Sequence, residues 1–373
     1  MRIVIWGAGK FGQYAALQLQ KNSDIDVICF IDSNIELDGK EICEIPIISP
    51  QKLYQSEYKK IDYILVAVRN WREILHELCK YPQFRGGIIK ESVYRDKLII
   101  NKNIMQDDNI LWIPDNSKPV IRTLETNVVD YCNLNCKGCS HFSNLFKKGD
   151  MVTYERYCKD LGQIAAKANV FCFNLLGGET LLNERINEYI EFARKVLPYS
   201  EIWIITNGLL LPYQKDTFFR CCLENNVGIS VSEYEPTSHM IDKIEGVLIK
   251  YGVRYTIRDN KGDFGKNLDL EGTADINIAV QTCRQHDCHF FRNGKLYKCP
   301  FEALANKFFE HFGLDICIDG GTDIYDEALD WKEFVKKLEH DPIESCKYCG
   351  KEERFEWQVS HNPKMEEWTI NME

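Results

Sequence analysis

Short apolar runs alternate with amphipathic stretches along most of the chain. Arg2–Trp6 is an apolar run, followed by Gly7, Gly9 and Gly12 and then by Ala15, Ala16 and Leu19 at helical spacing. A second run, Val27–Ile31, ends at Asp32. A third spans Tyr63–Val68, and Ile74, Leu75 and Leu78 after it suggest a helix. This alternation predicts a parallel sheet with helices on its faces over residues 1–100. Residues 101–120 hold Asn, Asp, Ser and Pro without periodicity and read as a linker. From residue 121 a second alternation predicts strands at Arg122–Val128, Val170–Leu175, Glu201–Thr206, Val227–Val231, Arg254–Arg258 and Ile276–Val280. Helices are predicted at Arg156–Ala168 and Arg185–Val196. Repeated units of this length over 121–281 suit a full or partial parallel barrel. Residues 282–350 turn to short strands, turns and cysteines, with a short helix at Trp331–Leu338. The tail, 351–373, is polar with scattered aromatics and has no readable place.

At 373 residues, two to three domains are expected. The apolar share of 45% and charged share of 27% are those of ordinary globular chains, which excludes wholesale disorder and coiled coil. A net charge of −10 with no basic run makes nucleic acid a poor partner. The N-terminus lacks a secretory apolar stretch, and no run approaches the ~18 apolar residues of a membrane span. A cytoplasmic protein is expected. That changes the meaning of the 16 cysteines, 13 of which lie between Cys132 and Cys349. In a reducing compartment, clustered cysteines read as metal ligands or catalysts before disulfides.

Cys132, Cys136 and Cys139 have the spacing C-x3-C-x2-C on a loop after a predicted strand. Three thiolates on one loop can hold three irons of a [4Fe–4S] cluster and leave the fourth open. The pattern resembles the radical S-adenosylmethionine (radical SAM) superfamily. That resemblance implies that these cysteines hold the cluster, whose open iron binds S-adenosylmethionine. It also implies reductive cleavage of the sulfonium to a 5′-deoxyadenosyl radical that takes a substrate hydrogen. Gly138 stands where the family often has an aromatic residue. Gly177-Gly178-Glu179 ends the next predicted strand, 38 residues after Cys139, and resembles the family's Gly-Gly-Glu motif. Thr206, Asn207 and Ser232 end the following two strands and suit ribose or methionine contacts in the family. The competing reading is a zinc site in which His141 joins the three cysteines.

Cys283-x4-Cys288, Gly294-x4-Cys299 and Cys346-x2-Cys349 form a second constellation, with Asn293-Gly294 as a hairpin signal. It resembles the twitch domain, a reduced SPASM domain that follows some radical SAM barrels and carries an auxiliary [4Fe–4S] cluster. Five cysteines are available for four positions, and zinc again competes. Cys158, Cys172, Cys221, Cys222 and Cys317 read as buried small side chains and not as ligands.

Gly7-x-Gly9-x-x-Gly12, with Asp32 twenty residues on, has the context of a Rossmann-like turn. Two readings stand side by side: a phosphate cradle with Asp32 on a ribose, or a turn that only needs glycine. With Ile45-Pro-Ile-Ile-Ser-Pro the segment resembles a Rossmann-like domain of polysaccharide-biosynthesis proteins, which leaves a nucleotide or nucleotide-sugar as its ligand.

The expected fold is therefore α/β: a Rossmann-like parallel sheet, a partial (β/α)6 TIM-type barrel and a small α+β iron–sulfur domain. The resemblance implies radical SAM modification of a small-molecule or sugar-linked substrate by dehydrogenation, dehydration or epimerisation. The reductant would be flavodoxin or ferredoxin. A ribosomally made peptide as substrate, and a zinc-stapled nucleotide-sensing protein, are the alternatives. The group that takes a proton from the substrate is unidentified. Glu233, Tyr234, Arg254 and Arg258 lie at strand ends but suit solvated or structural roles as well.

Overall fold

The computed structural model describes residues 1–370 apart from 55–57, 59, 69–70, 72–73, 75–76, 79–83, 90–109, 114, 116, 263 and 286. The chain divides into two compact units, Met1–Val120 and Ile121–Glu373.

The first unit is built on a seven-stranded sheet. Its strands are β1 (Arg2–Trp6), β2 (Asp26–Ile31), β3 (Glu41–Ile42), β4 (Ile45–Ile48), β5 (Tyr63–Val66), β6 (Arg85–Ile89) and β7 (Ile110–Ile113), in the order β3-β4-β2-β1-β5-β6-β7. The pairs around β1 are parallel, while β3 and β7 close the two edges antiparallel. Helix Lys10–Leu19 packs Ala15, Ala16 and Leu19 into the core with Ile3, Ile5, Phe30 and Leu65. Ile110–Ile113 corrects the sequence reading, which gave these residues to a linker. Four apolar residues are enough to pair with β6 and place Trp112 in the core. Ile74 and Leu78 are helical, and Leu75 lies outside the described residues, as do 101–109.

The second unit holds an eight-stranded sheet. It contains β8 (Val120–Val129), β9 (Asn169–Gly177), β10 (Glu201–Thr206), β11 (Val227–Glu233) and β12 (Tyr255–Asp259). A separate pair joins β13 (Phe264–Leu268) to the later β17 (Cys349–Phe355). The large sheet is completed by β14 (Cys288–Arg292), β15 (Lys295–Tyr297) and β16 (Thr322–Asp323). Its order is β12-β11-β10-β9-β8-β14-β15-β16. Helices Tyr154–Lys167, Ile186–Val196, Asp216–Glu224 and Ile241–Tyr251 separate the strands β8 to β12. This is the mixed α/β, parallel-rich architecture expected.

The sixth predicted strand, Ile276–Val280, is instead a helix, Ile276–Thr282. Its β-branched residues suggest a strand, but the Asp275 side chain accepts the amides of Asn277 and Ile278 and starts a helix. The place beside β8 is taken by Cys288–Arg292, which pairs parallel to it through Cys288 and Thr123.

The two faces of this sheet differ in chemistry. Leu124, Val128, Phe173, Leu175, Ile202, Ile204, Ile229 and Val231 point to the helices and form the main core. The alternate residues, on the opposite face, include Glu125, Asn127, Asn174, Ser230, Thr256 and Arg258.

Candidate functional site

The loop after β8 carries Cys132, Cys136 and Cys139, with Cys136 buried and the other two half-buried. Burial pushes the Cys132 thiol up, and the charges of Glu179, Cys139 and Cys136 push the same way. Burial and then Cys139 push Cys136 up to about 12. The three thiols and Glu179 thus share one electrostatic neighbourhood. With Cys132 and Cys136 both raised, their thiolates form beside a cation, so the donor set suits a metal cluster that supplies the positive charge. Among the described residues no three His, Cys, Asp or Glu side chains gather round a single-ion position.

The glycines of the Gly-Gly-Glu motif are required by packing. A Cβ at Gly177 would lie 2.1 Å from the Val129 carbonyl oxygen, and one at Gly178 2.2 Å from that of Tyr131. The end of β9 therefore runs against the root of the cysteine loop, where the Gly178 amide bonds Val129 at 2.9 Å and the Glu179 amide bonds Tyr131 at 3.1 Å.

Glu179 is fully buried. Its Oε1 accepts the Thr206 hydroxyl at 2.6 Å and the Leu181 amide at 2.9 Å, and its Oε2 accepts the Asn207 amide at 2.8 Å. Burial raises its carboxyl above the usual range against these bonds. Asn207 extends the link, donating to Asn133 at 2.7 Å and lying 3.8 Å from the Cys132 sulfur. Cysteine loop, Gly-Gly-Glu and Thr206-Asn207 thus meet in one place. Ser232 stands apart from this link and hydrogen-bonds the phenol of Tyr234, which burial and then the thiols of Cys136 and Cys139 push up.

Beneath the loop, fully buried Asp130 receives both Arg292 nitrogens at 2.8 Å and Asn127 at 3.2 Å. His141 faces Asn127 at 3.1 Å, and burial holds it down to about 4, so it is neutral. In this structure His141 supports the loop from below.

The tail, unplaced from sequence, crosses the cysteine loop. Cys136 bridges Val359, the Lys137 amide bonds Gln358 at 2.9 Å and the Ser360 amide bonds Asn135 at 2.6 Å. Indole nitrogens of the tail reach the loop twice, from Trp357 to the Cys136 sulfur at 3.1 Å and from Trp368 to the Cys139 carbonyl at 2.8 Å. Scattered tryptophans in a polar tail were the available signal.

The five later cysteines separate. Burial and then Cys349 push Cys299 well up, with Cys283 adding to it. Burial, Cys346 and Cys283 push Cys349 up to about 12. Cys346 is raised by burial and also feels Cys283. Lys298, buried and bonded to the Leu338 carbonyl at 2.6 Å, lowers both Cys283 and Cys346 against their burial. Cys283, Cys299, Cys346 and Cys349 therefore share one electrostatic neighbourhood, in which Lys298 favours the thiolates of Cys283 and Cys346. Four thiols in one neighbourhood suit a closed four-thiolate cluster. Cys288 turns elsewhere: burial raises it, then Glu125, Asp287 and Cys172. It hydrogen-bonds Glu125, whose carboxyl is raised by burial and also accepts Asn174 at 2.7 Å.

In the first unit, Gly7 has φ +116, and a Cβ at Gly12 would lie 1.8 Å from the Gly7 oxygen. Both positions require glycine for the turn itself. Gly9 has nothing within 4 Å of its Cβ direction. Asp32 accepts the Ala8 amide at 3.0 Å and the Asn34 amide at 2.9 Å, so it braces the turn with both oxygens.

Two family models match the chain: "C2185-like, N-terminal" over residues 1–81 and "4Fe-4S single cluster domain" over residues 122–229. Among curated relatives, the GTP 3′,8-cyclase of Thermodesulfovibrio yellowstonii is 30% identical over 108 residues, 28% of this chain and 33% of that protein. The GTP 3′,8-cyclase of Aquifex aeolicus is 34% identical over 98 residues, 26% of this chain and 30% of that protein. The matched stretch spans about a third of these relatives' length. Among solved structures, BtrN in complex with AdoMet and 2-DOIA aligns at 16% identity and a TM-score of 0.39, covering 63% of this chain and 94% of that one. Among the described residues no helix is long and apolar enough to cross a membrane. The stretch that carries the cysteine loop and the Gly-Gly-Glu strand end packed on its root is thus similar to a 4Fe-4S single cluster domain and to part of the GTP 3′,8-cyclases.

Proposed function

We propose that this chain is an enzyme that cleaves S-adenosylmethionine reductively and takes a hydrogen from a small polyhydroxylated substrate, a carbohydrate or sugar-linked molecule. The cluster, when bound by Cys132, Cys136 and Cys139, supplies the electron for that cleavage. A second cluster on Cys283, Cys299, Cys346 and Cys349 is part of the same reading.

The observation that supports the substrate class is the polar face of the second unit's sheet. Parallel strands buried on both faces read as near-continuous apolar runs. Here β8, β9, β11 and β12 alternate instead, and the face away from the helices carries Glu125, Asn174, Ser230, Thr256 and Arg258. Glu125 and Asn174 are bonded at 2.7 Å, and Thr256 and Ser230 at 3.1 Å. Arg258 acts on Glu125 as the opposing charge. Carboxylate, amide, hydroxyl and guanidinium groups in this arrangement match ring hydroxyls, which both donate and accept. Glu125 is the group best suited to accept a proton from a substrate hydroxyl.

The test is a search of deuterated small-molecule extracts for a compound that passes deuterium to 5′-deoxyadenosine. A sugar or cyclitol donor is expected. A peptide donor, or label from no small molecule, contradicts the substrate class. With the donor in hand, Glu125→Gln should abolish its turnover and leave iron content unchanged.

A further inference from the structure

The C-terminal segment makes a contact that cluster binding alone does not require. The Trp357 indole N–H donates to the Cys136 sulfur at 3.1 Å. Its ring is fixed from several sides. The Trp357 amide bonds the Lys261 carbonyl at 2.8 Å, and the indole stacks on Tyr234 with centroids 5.8 Å apart and planes 25° from parallel. The neighbouring Gln358, Val359 and Ser360 pair with the loop backbone on either side of Cys136. The loop has made room for this segment: Gly138 has φ +66, and a Cβ there would lie 2.8 Å from the Glu367 oxygen and 3.0 Å from the Phe355 ring.

We propose that Trp357 is a positioning residue that sets the reduction potential of the cluster carried by Cys132, Cys136 and Cys139. This rests on the function proposed above. Reduction adds negative charge to a cluster and its thiolates. A fixed N–H dipole at a ligating sulfur stabilises the reduced state more than the oxidised one and raises the potential. Cys136 is the buried thiol of the three, where a fixed N–H dipole acts in a low dielectric. The indole makes the cluster easier to reduce by a weak cellular reductant, and the tail becomes part of the electron-accepting site.

The test is a redox titration of the reconstituted full chain followed by electron paramagnetic resonance. The open cluster is recognised by the change in its signal on adding S-adenosylmethionine. Trp357→Phe, which keeps a ring and removes the N–H, should lower the midpoint by about tenfold in the one-electron equilibrium, about 59 mV. Trp357→His, which restores an N–H, should recover part of the shift. Trp368→Phe, whose partner is a carbonyl and no sulfur, should leave it unchanged. A loaded Trp357→Phe protein with the wild-type midpoint overturns the proposal. The contact is also read without a cluster, by mass-spectrometric rates of iodoacetamide alkylation in apo-protein. Trp357→Phe should slow Cys136 relative to Cys132 and Cys139, because the thiolate that reacts loses the N–H that favours it, and unchanged relative rates overturn the contact. Absence of any cluster in wild-type protein defeats the proposed function, and the alkylation rates then still decide the contact.

Discussion

Arg292 holds Asp130 through two parallel hydrogen bonds of 2.8 Å each. Asp130 is fully buried, two residues before Cys132, and Arg292 ends β14, where the hairpin that leads to Cys299 begins. One ion pair therefore ties the root of the loop that carries Cys132, Cys136 and Cys139 to the strand that leads toward Cys299. Arg292→Met should cost about 3–5 kcal/mol, because it strands a buried carboxylate. Adding Asp130→Asn should recover part of this loss. Thermal unfolding of the two variants checks it, and a single-variant cost below about 1 kcal/mol would contradict the coupling.

The separation of the five later cysteines predicts a difference in iron content. Cys288→Ser should keep about eight irons per reconstituted chain, and Cys283→Ser should fall to about four. The reverse order would return Cys288 to the cluster and remove it from Glu125.

Gly178 is fixed by the approach of β9 to the loop. Gly178→Ala sets a Cβ 2.2 Å from the Tyr131 oxygen, a backbone atom that moves only with the cysteine loop. The variant should lose about 1–3 kcal/mol and bind S-adenosylmethionine more weakly. Calorimetry on reconstituted protein checks the second effect, and unaltered binding would show that the strand end is not part of the site.

Glu339 gives a pH test away from the cysteine loop. Burial, and then Asp287, push its carboxyl from 4.5 to about 7. Because the folded value is the higher one, the contribution of Glu339 to stability is fully present below about pH 4.5 and is lost as pH rises through about 7. Glu339→Gln should match wild type near pH 4.5 and exceed it at pH 8 by about 1–3 kcal/mol. Parallel stability curves for the two proteins would contradict the shift.

Much of the fold was legible because its strands and helices alternate at regular spacing: Glu201–Thr206 lies where predicted and Arg122–Val128 lies inside β8. The errors have local causes. Ile276–Val280 is β-branched, but Asp275 caps it as a helix, and the strand beside β8 is five residues that sequence assigned to a hairpin approach. The candidate ligand spacing Cys132, Cys136, Cys139 was readable because it lies within one loop. Trp357 on Cys136, or Asn174 on Glu125, was not, since each joins segments 221 and 49 residues apart. The polar face did leave a trace: Thr123, Glu125 and Asn127 alternate with Leu124, Thr126 and Val128, where a parallel strand buried on both faces reads as a near-continuous apolar run.

Cys132, Cys136 and Cys139 are proposed above to carry a cluster that cleaves S-adenosylmethionine. The direct measurement is 5′-deoxyadenosine formed by anaerobically reconstituted protein with dithionite. Wild-type protein should produce it and Cys132→Ala, Cys136→Ala and Cys139→Ala should not, while each variant retains about four irons at the second site. Undiminished 5′-deoxyadenosine from any of the three variants, or a colourless wild-type protein that holds only zinc, would contradict the account.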